Sequence, residues 1–246
     1  MNLQDAIKFI IQTGHDISTE NGIQSDGALS IGLDTLHGLL SMARGRSGDA
    51  AIAEKTLEIL IDDMQLNLPT LQQKRGSKSP EILCLQESLE NINEYLLVYA
   101  HERGLADTQW GVSLCAFQFS PSNVSCCVYG DFQAYHFREG QINALFTQEM
   151  NNHLLGRDTA FQAEACEQTL QKGDVLAMIS RDAMTALGNE FLRLTMSRFS
   201  DNLEMAQRQI NARAQHEGLP SKPEFILLRV DQVESARKWL GGLIKR

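Results

Sequence analysis

The stretch from Trp110 to Ile142 constrains the possible folds more than any other part of this chain. Val112 to Phe119 is a run of apolar and β-forming residues too short for an ordinary helix. Ser120-Pro121-Ser122-Asn123 then makes a turn cluster, and Val124 to Tyr129 makes a second strand-like run. Gly130 interrupts that run, Ala134 to Phe137 resumes it, and Glu139-Gly140 turns the chain into another strand from Gln141. The pattern predicts three consecutive antiparallel strands with an acidic residue, Asp131, at a glycine break. A glycine inside a strand pattern marks a bulge or a close approach of backbone to another group. A plain meander carrying a solvated Asp131 fits the same local pattern.

Antiparallel strands need covering layers, and the rest of the chain supplies them. Asp49 to Leu66 keeps apolar residues (Ala51, Ile52, Leu57, Leu60, Ile61) at helical spacing, with Glu54, Lys55 and Glu58 on the other face. Ser79-Pro80 starts a second long helix that Gly104 ends. Between them lies the basic connection from Pro69 to Pro80. Ala6 to Gln12 reads as a strand, and Gly14 to Gly27 as polar and turn-rich. Ala28 to Leu33 reads as a short strand ending at Asp34, with a Gly- and Ser-bearing loop from Leu36 to Gly48. Later come a buried-type strand within Leu170 to Ser180, helices over Asn189–Phe199 and Asn202–Glu217, and a last strand from Glu224 to Val230. This order predicts an α+β fold with helix pairs packed outside antiparallel sheets. The expected organisation is one domain over 1–232 and a short basic tail over 233–246.

Charge and cysteine use narrow the function. The 246 residues carry a net charge of −9, which argues against a general attraction to nucleic acid. No run approaches the ~18 apolar residues of a membrane span. The beginning of the chain, with Asp5 and Lys8 in or beside its apolar run, does not read as a signal peptide. The five cysteines (Cys84, Cys115, Cys126, Cys127, Cys166) lie mostly in apolar runs without a Cys-x-x-Cys pair. That pattern suits buried thiols in a reducing compartment, so the expectation is a cytoplasmic protein.

Several short motifs, in the right order along the chain, resemble the metal-dependent (type 2C) serine/threonine protein phosphatases, in a degenerate bacterial form. Gly130-Asp131-Phe132 through Ile142 resembles that family's Gly-Asp-Ser-Arg-x-Tyr-x-x-Arg-x-Gly strand pair, and Trp110-Gly111-Val112-Ser113 stands where the family has Gly-Thr-Thr. Lys172-Gly173-Asp174 resembles its Pro-Gly-Asp turn before a strand ending in Ser-Asp-Gly. Leu33-Asp34, followed by Gly45-Arg46-Ser47-Gly48-Asp49 and the first helix, resembles its Asp-Gly-x-Gly-Gly loop. The resemblance covers about Gly14 to Val230 and implies an αββα sandwich of two antiparallel sheets flanked by helix pairs.

The family's chemistry uses a carboxylate cluster holding two Mn or Mg ions that activate a bridging water for attack on a phosphomonoester. Carried over position by position, the resemblance implies an eroded cluster. The phosphate-binding arginine falls on Ile17, one metal aspartate on Gly22, another on Arg181 beside Asp182, and the late Asp-Asn pair on Pro223-Glu224. Asp34 is carried over as the central aspartate and Asp131 as the ligand of an additional ion. The flap expected between Thr147 and Asn152 is reduced to almost nothing.

These departures imply a pseudophosphatase that binds a protein partner, by family analogy a kinase, a phosphoprotein or a signalling assembly, with no cofactor. The alternative is an active Mn- or Mg-dependent phosphatase with a reduced site of Asp34, Asp131 and Asp182, in which His37, Glu20 or Asp16 stand in for lost ligands. A further alternative is metal-free phosphate or nucleotide binding by Arg181, or by Arg44 and Arg46.

Overall fold

The computed structural model describes residues 7–12, 21–27, 29–46, 50–73, 79–105, 110–146, 153–157, 159–219 and 223–233. The N-terminal acids Asp16 and Glu20, the reduced flap, the basic connection around 74–78 and the C-terminal tail lie outside them.

Two sheets form the middle of the molecule. The first holds β1 (Ile7–Gln12), β11 (Phe225–Val230), β10 (Val175–Ser180), β7 (Phe132–Arg138) and β8 (Gln141–Ala144), in that spatial order. The second holds β2 (Gly22–Asp26), β3 (Leu29–Asp34), β4 (Leu39–Gly45), β5 (Val112–Phe119), β6 (Asn123–Tyr129) and β9 (Cys166–Thr169). Every ladder is antiparallel. Helices α1 (Ala50–Gln72) and α2 (Pro80–Glu102) cover the second sheet. Helices α3 (Arg181–Leu187), α4 (Asn189–Phe199) and α5 (Leu203–His216) cover the first. The result is the αββα sandwich.

Side-chain alternation explains why this stacking works. Along β10, Leu176 and Met178 enter the core between the sheets, whereas Val175, Ala177 and Ile179 face α3–α5. Phe225 and Leu227 of β11 likewise face the helices, with Ile226 and Leu228 between the sheets. Both faces are dry, so these strands read as continuous apolar runs. On the other side Leu57, Leu60 and Met64 of α1 and Leu85, Leu89 and Ile92 of α2 pack over Leu39, Ala43, Leu114 and Ala116. Ser79 caps α2, its hydroxyl accepting from the Ile82 N–H at 3.2 Å, with Pro80 at the first helical position.

Four expectations are corrected. The first helix runs through Pro69 to Gln72 rather than stopping at Leu66, because a proline near a helix end removes only one late hydrogen bond. Leu36 to Gly48 is not all loop: Leu39–Gly45 is a central strand. Gly22–Asp26 is an edge strand rather than a turn region. Finally, β5, β6 and β7 are not one meander. At Gly130-Asp131 the chain leaves the second sheet and enters the first. Gly130 has φ +73°, and a Cβ there would lie 2.3 Å from Ser113 Oγ and 2.7 Å from Leu154 Cδ2. A close approach at a corner, not a bulge, is the reason for this glycine.

Candidate functional site

The corner at Gly130-Asp131 is where the two sheets bring their polar side chains together. Asp131 is held by its backbone: its N–H donates to Ser113 Oγ at 3.0 Å, and its carbonyl accepts from the Arg181 N–H at 2.7 Å. The Arg181 guanidinium also donates to the Gly130 carbonyl at 3.0 Å. Ser180, at the end of β10, caps α3 by accepting from the Ala183 N–H, and its own N–H donates to the Glu224 carbonyl. This places Arg181 and Asp182 on the first turn of α3, beside the start of β11.

Arg44 comes to the same corner from the opposite sheet. It lies near the end of β4, with its Cα opposite Leu29 on β3 and Ser113 on β5. Its guanidinium pairs with Glu224, and its Cζ sits 5.7 Å from the Phe132 ring centroid. Burial pushes the Arg44 pKa down, while Asp182 and Asp131 pull it back up. An arginine stays cationic under such opposing effects. Asp131 is half-buried and Asp182 exposed. The corner therefore sets a cation from the second sheet against three carboxylates, Glu224, Asp131 and Asp182, carried at the ends of first-sheet elements.

The backbone of Asp26 belongs to this end as well, since its Cα is paired with Leu29 and Leu29 with Arg44. Sequence reading missed Glu224 as a member of the corner, and gave Arg44 only to a metal-free anion site. The signal was available: Arg44-Gly45 closes a strand, and α1 begins at Ala50, only a few residues later.

Asp34 is elsewhere. It ends β3 five residues beyond Leu29, which puts it roughly 17 Å along the strand from the Arg44 end. Its Oδ1 accepts from the N–H groups of Leu36 and His37, both at 3.1 Å. Its Oδ2 accepts from Gln65 Nε2 at 2.8 Å and lies 2.7 Å from His37 Nδ1. Burial pushes this carboxyl up, but the bonds from Gln65 and His37 outweigh it and hold the pKa below 3.8. Asp34 and His37 thus close the β3–β4 hairpin, beside a cleft of about 170 Å³ lined by Leu68, Gln72, Glu81 and Pro121. Asp174 is also structural. Its buried carboxylate binds Arg138 through Nε at 2.8 Å and Nη2 at 2.6 Å, has His136 Nε2 at 3.0 Å, and ties down the turn before β10.

Two hard cations need many oxygen ligands in a negative pocket. Among the described residues no three His, Cys, Asp or Glu side chains are grouped so as to hold a metal ion. The carboxylates that do meet share Arg44 as their counterion. The described residues do not fit a two-ion centre. Among the described residues, no helix is long and apolar enough to cross a membrane.

No protein-family model and no curated protein sequence matches this chain. Solved structures do. The serine/threonine phosphatase PstP/Ppp of Mycobacterium tuberculosis aligns over 92% of this chain and 100% of its own, at TM-score 0.66 and 13% identity. The PstP catalytic domain in complex with two manganese ions aligns at TM-score 0.64 and 16% identity, over 92% of this chain and 99% of that one. PppA of Pseudomonas aeruginosa, described as a key regulatory component of T6SS, aligns over 91% and 96% at TM-score 0.65 and 16% identity. With both sheets, the helix layers and nearly the full length in common, this chain has the fold of the metal-dependent, type 2C serine/threonine phosphatases.

Proposed function

We propose that this chain is a phosphatase-like domain without phosphatase chemistry, a pseudophosphatase that serves as a protein-binding or regulatory module in signalling. The observation that carries the reading is Arg44, a fixed cation at the carboxylate corner. A divalent ion about 6 Å from a guanidinium, at an effective dielectric of about 20, is disfavoured by roughly 5 kcal/mol. At about 1.4 kcal/mol per factor of ten, that weakens binding of the ion by roughly three to four orders of magnitude. The alternative of an active, reduced site built on Asp34, Asp131 and Asp182 is disfavoured because Asp34 lies at the far end of its strand. The acidic balance of −9 and the regulatory role stated for PppA support a protein partner, such as a kinase or phosphoprotein, over a nucleic acid.

The test is hydrolysis of a generic aryl phosphate with Mn²⁺ or Mg²⁺, run on the wild type and on Asp131→Asn and Asp182→Asn, with Mn²⁺ titrated calorimetrically. The expected result is turnover at the protein-free blank in all three and no saturable Mn²⁺ heat. Turnover in the wild type that vanishes in either variant would overturn the proposal.

A further inference from the structure

Cys126 on β6 and Cys166 on β9 are directly opposed Cα partners in an antiparallel ladder. Their sulfurs are 3.3 Å apart. Directly opposed residues in such a ladder have Cα atoms about 4.5 or 5.5 Å apart, and both spacings fall inside the range a disulfide spans. Closing the bond to about 2.05 Å needs a side-chain movement of little more than 1 Å and no change of strand register.

The two thiols differ in access. Cys126 is fully buried in the core between the sheets, whereas Cys166 is half-buried. Cys166 lines a surface cavity of about 440 Å³ with Arg138, Asn143, Leu145 and Gln168. Its sulfur lies 3.6 Å from the Leu145 carbonyl oxygen. The Cys126 thiol, hydrogen-bonded to Cys166, lowers the Cys166 pKa, against burial, and its own pKa is raised. One sulfur is thus reachable and the more easily ionised, and the other waits behind it as a thiol.

We propose that Cys126 and Cys166 form an oxidant-responsive site, in which a hydroperoxide converts the pair into a disulfide that staples the edge strand β9 to β6. The Cys166 thiolate attacks the peroxide oxygen, breaking the O–O bond. It becomes a sulfenic acid, and the peroxide's other oxygen leaves as water or alcohol once protonated. The Cys126 sulfur then attacks the Cys166 sulfur, the S–O bond breaks, and a second water leaves with the Cys126 proton. Two thiols are oxidised and one peroxide is reduced. Cys84, Cys115 and Cys127 are buried, and each is pushed up in pKa, foremost by burial; they stay reduced. This inference is independent of whether the domain is a phosphatase.

The experiment uses the full chain, reduced and freed of reductant, then treated with hydrogen peroxide, blocked with maleimide and digested without reductant. The expected product is monomeric, lighter by about 2 Da before blocking, and yields one linked peptide containing Cys126 and Cys166 that dithiothreitol separates. Closing so long a loop should also raise the melting temperature by roughly 10 °C. In Cys126→Ser the mass loss should vanish, and Cys166 should be trapped by dimedone as a sulfenic acid. Maleimide labelling of Cys166 that peroxide leaves unchanged, or a bond that forms only between chains, would overturn the proposal.

Discussion

Replacing Arg44 by methionine isolates the charge at the corner. Methionine keeps much of the apolar stem and removes the guanidinium, leaving Glu224, Asp131 and Asp182 without their shared counterion. The paired side chains are 20% and 22% exposed, between two well-characterised limits. Exposed bridges contribute about 0–1 kcal/mol, and removing one partner of a buried pair costs about 3–5 kcal/mol. The interpolated cost is about 2 kcal/mol, and loss of the contact with the Phe132 ring adds about 0.5–1 kcal/mol. The variant should therefore be about 3 kcal/mol less stable, which lowers the melting temperature by roughly 6–12 °C for a domain of this size. Urea unfolding should show a lower midpoint with an unchanged slope. Adding Glu224→Gln to Arg44→Met should recover about 1 kcal/mol, because it removes a charge left unpaired. Millimolar Mn²⁺ should stabilise Arg44→Met and leave the wild type unmoved. A loss below about 0.5 kcal/mol, or strict additivity of the two substitutions, would refute the idea that Arg44 holds the corner together.

Two other perturbations test the frame around that corner. The folded Asp34 carboxyl is held below its ordinary 3.8, so its contribution is present above the unfolded pKa and is lost as pH falls through the folded one. Asp34→Asn should cost about 1–3 kcal/mol at pH 7 in urea titrations, and the gap from wild type should shrink as pH falls below about 4; a gap constant across that range would count against the ionised carboxylate. Gly130→Ala meets Ser113 Oγ at 2.3 Å and has φ +73°, so a destabilisation of about 2–4 kcal/mol is expected in the same assay. A loss under about 1 kcal/mol would show that the corner yields easily.

The elements legible in the sequence were those with strong periodicity or punctuation. α1 and α2 carry apolar residues at helical spacing, α2 has the Ser79-Pro80 start, and the short strands β5 to β8 are separated by Ser120–Asn123 and Glu139-Gly140. Two of the edge strands were not legible: β2 (GIQSD) and β9 (CEQT) bury little, so they carry no apolar stripe. β4 failed for the opposite reason. It is dry on both faces and uses Ser41, Ala43 and Gly45 where helix and sheet crowd it, which reads locally as a loop. Missing β4 also shaped the list of candidates: with Leu39–Gly45 read as loop, Asp34 was the last strand residue available, and Arg44, near the end of the true strand, was read only as a loop arginine. Asp131 was singled out by its glycine break and Asp182 by lying one step from Arg181 in the motif resemblance; that they lie near a cation from the other sheet depends on strand order, which local pattern does not contain.

One consequence follows for biosynthesis. β1 sits at an edge with β11 as its neighbour, and β11 lies between β1 and β10. Translation proceeds at about 5–20 residues per second. Once made, Ile7–Gln12 must therefore wait roughly 10–40 s for Phe225–Val230 to leave the ribosome. The second sheet is different: β2 to β6 pair with sequence neighbours and are finished by Thr169. Half of the sandwich can assemble on the nascent chain while the other half keeps an open slot. Whatever holds the first strand soluble in that interval, a chaperone or the nascent chain itself, is part of how this fold is made.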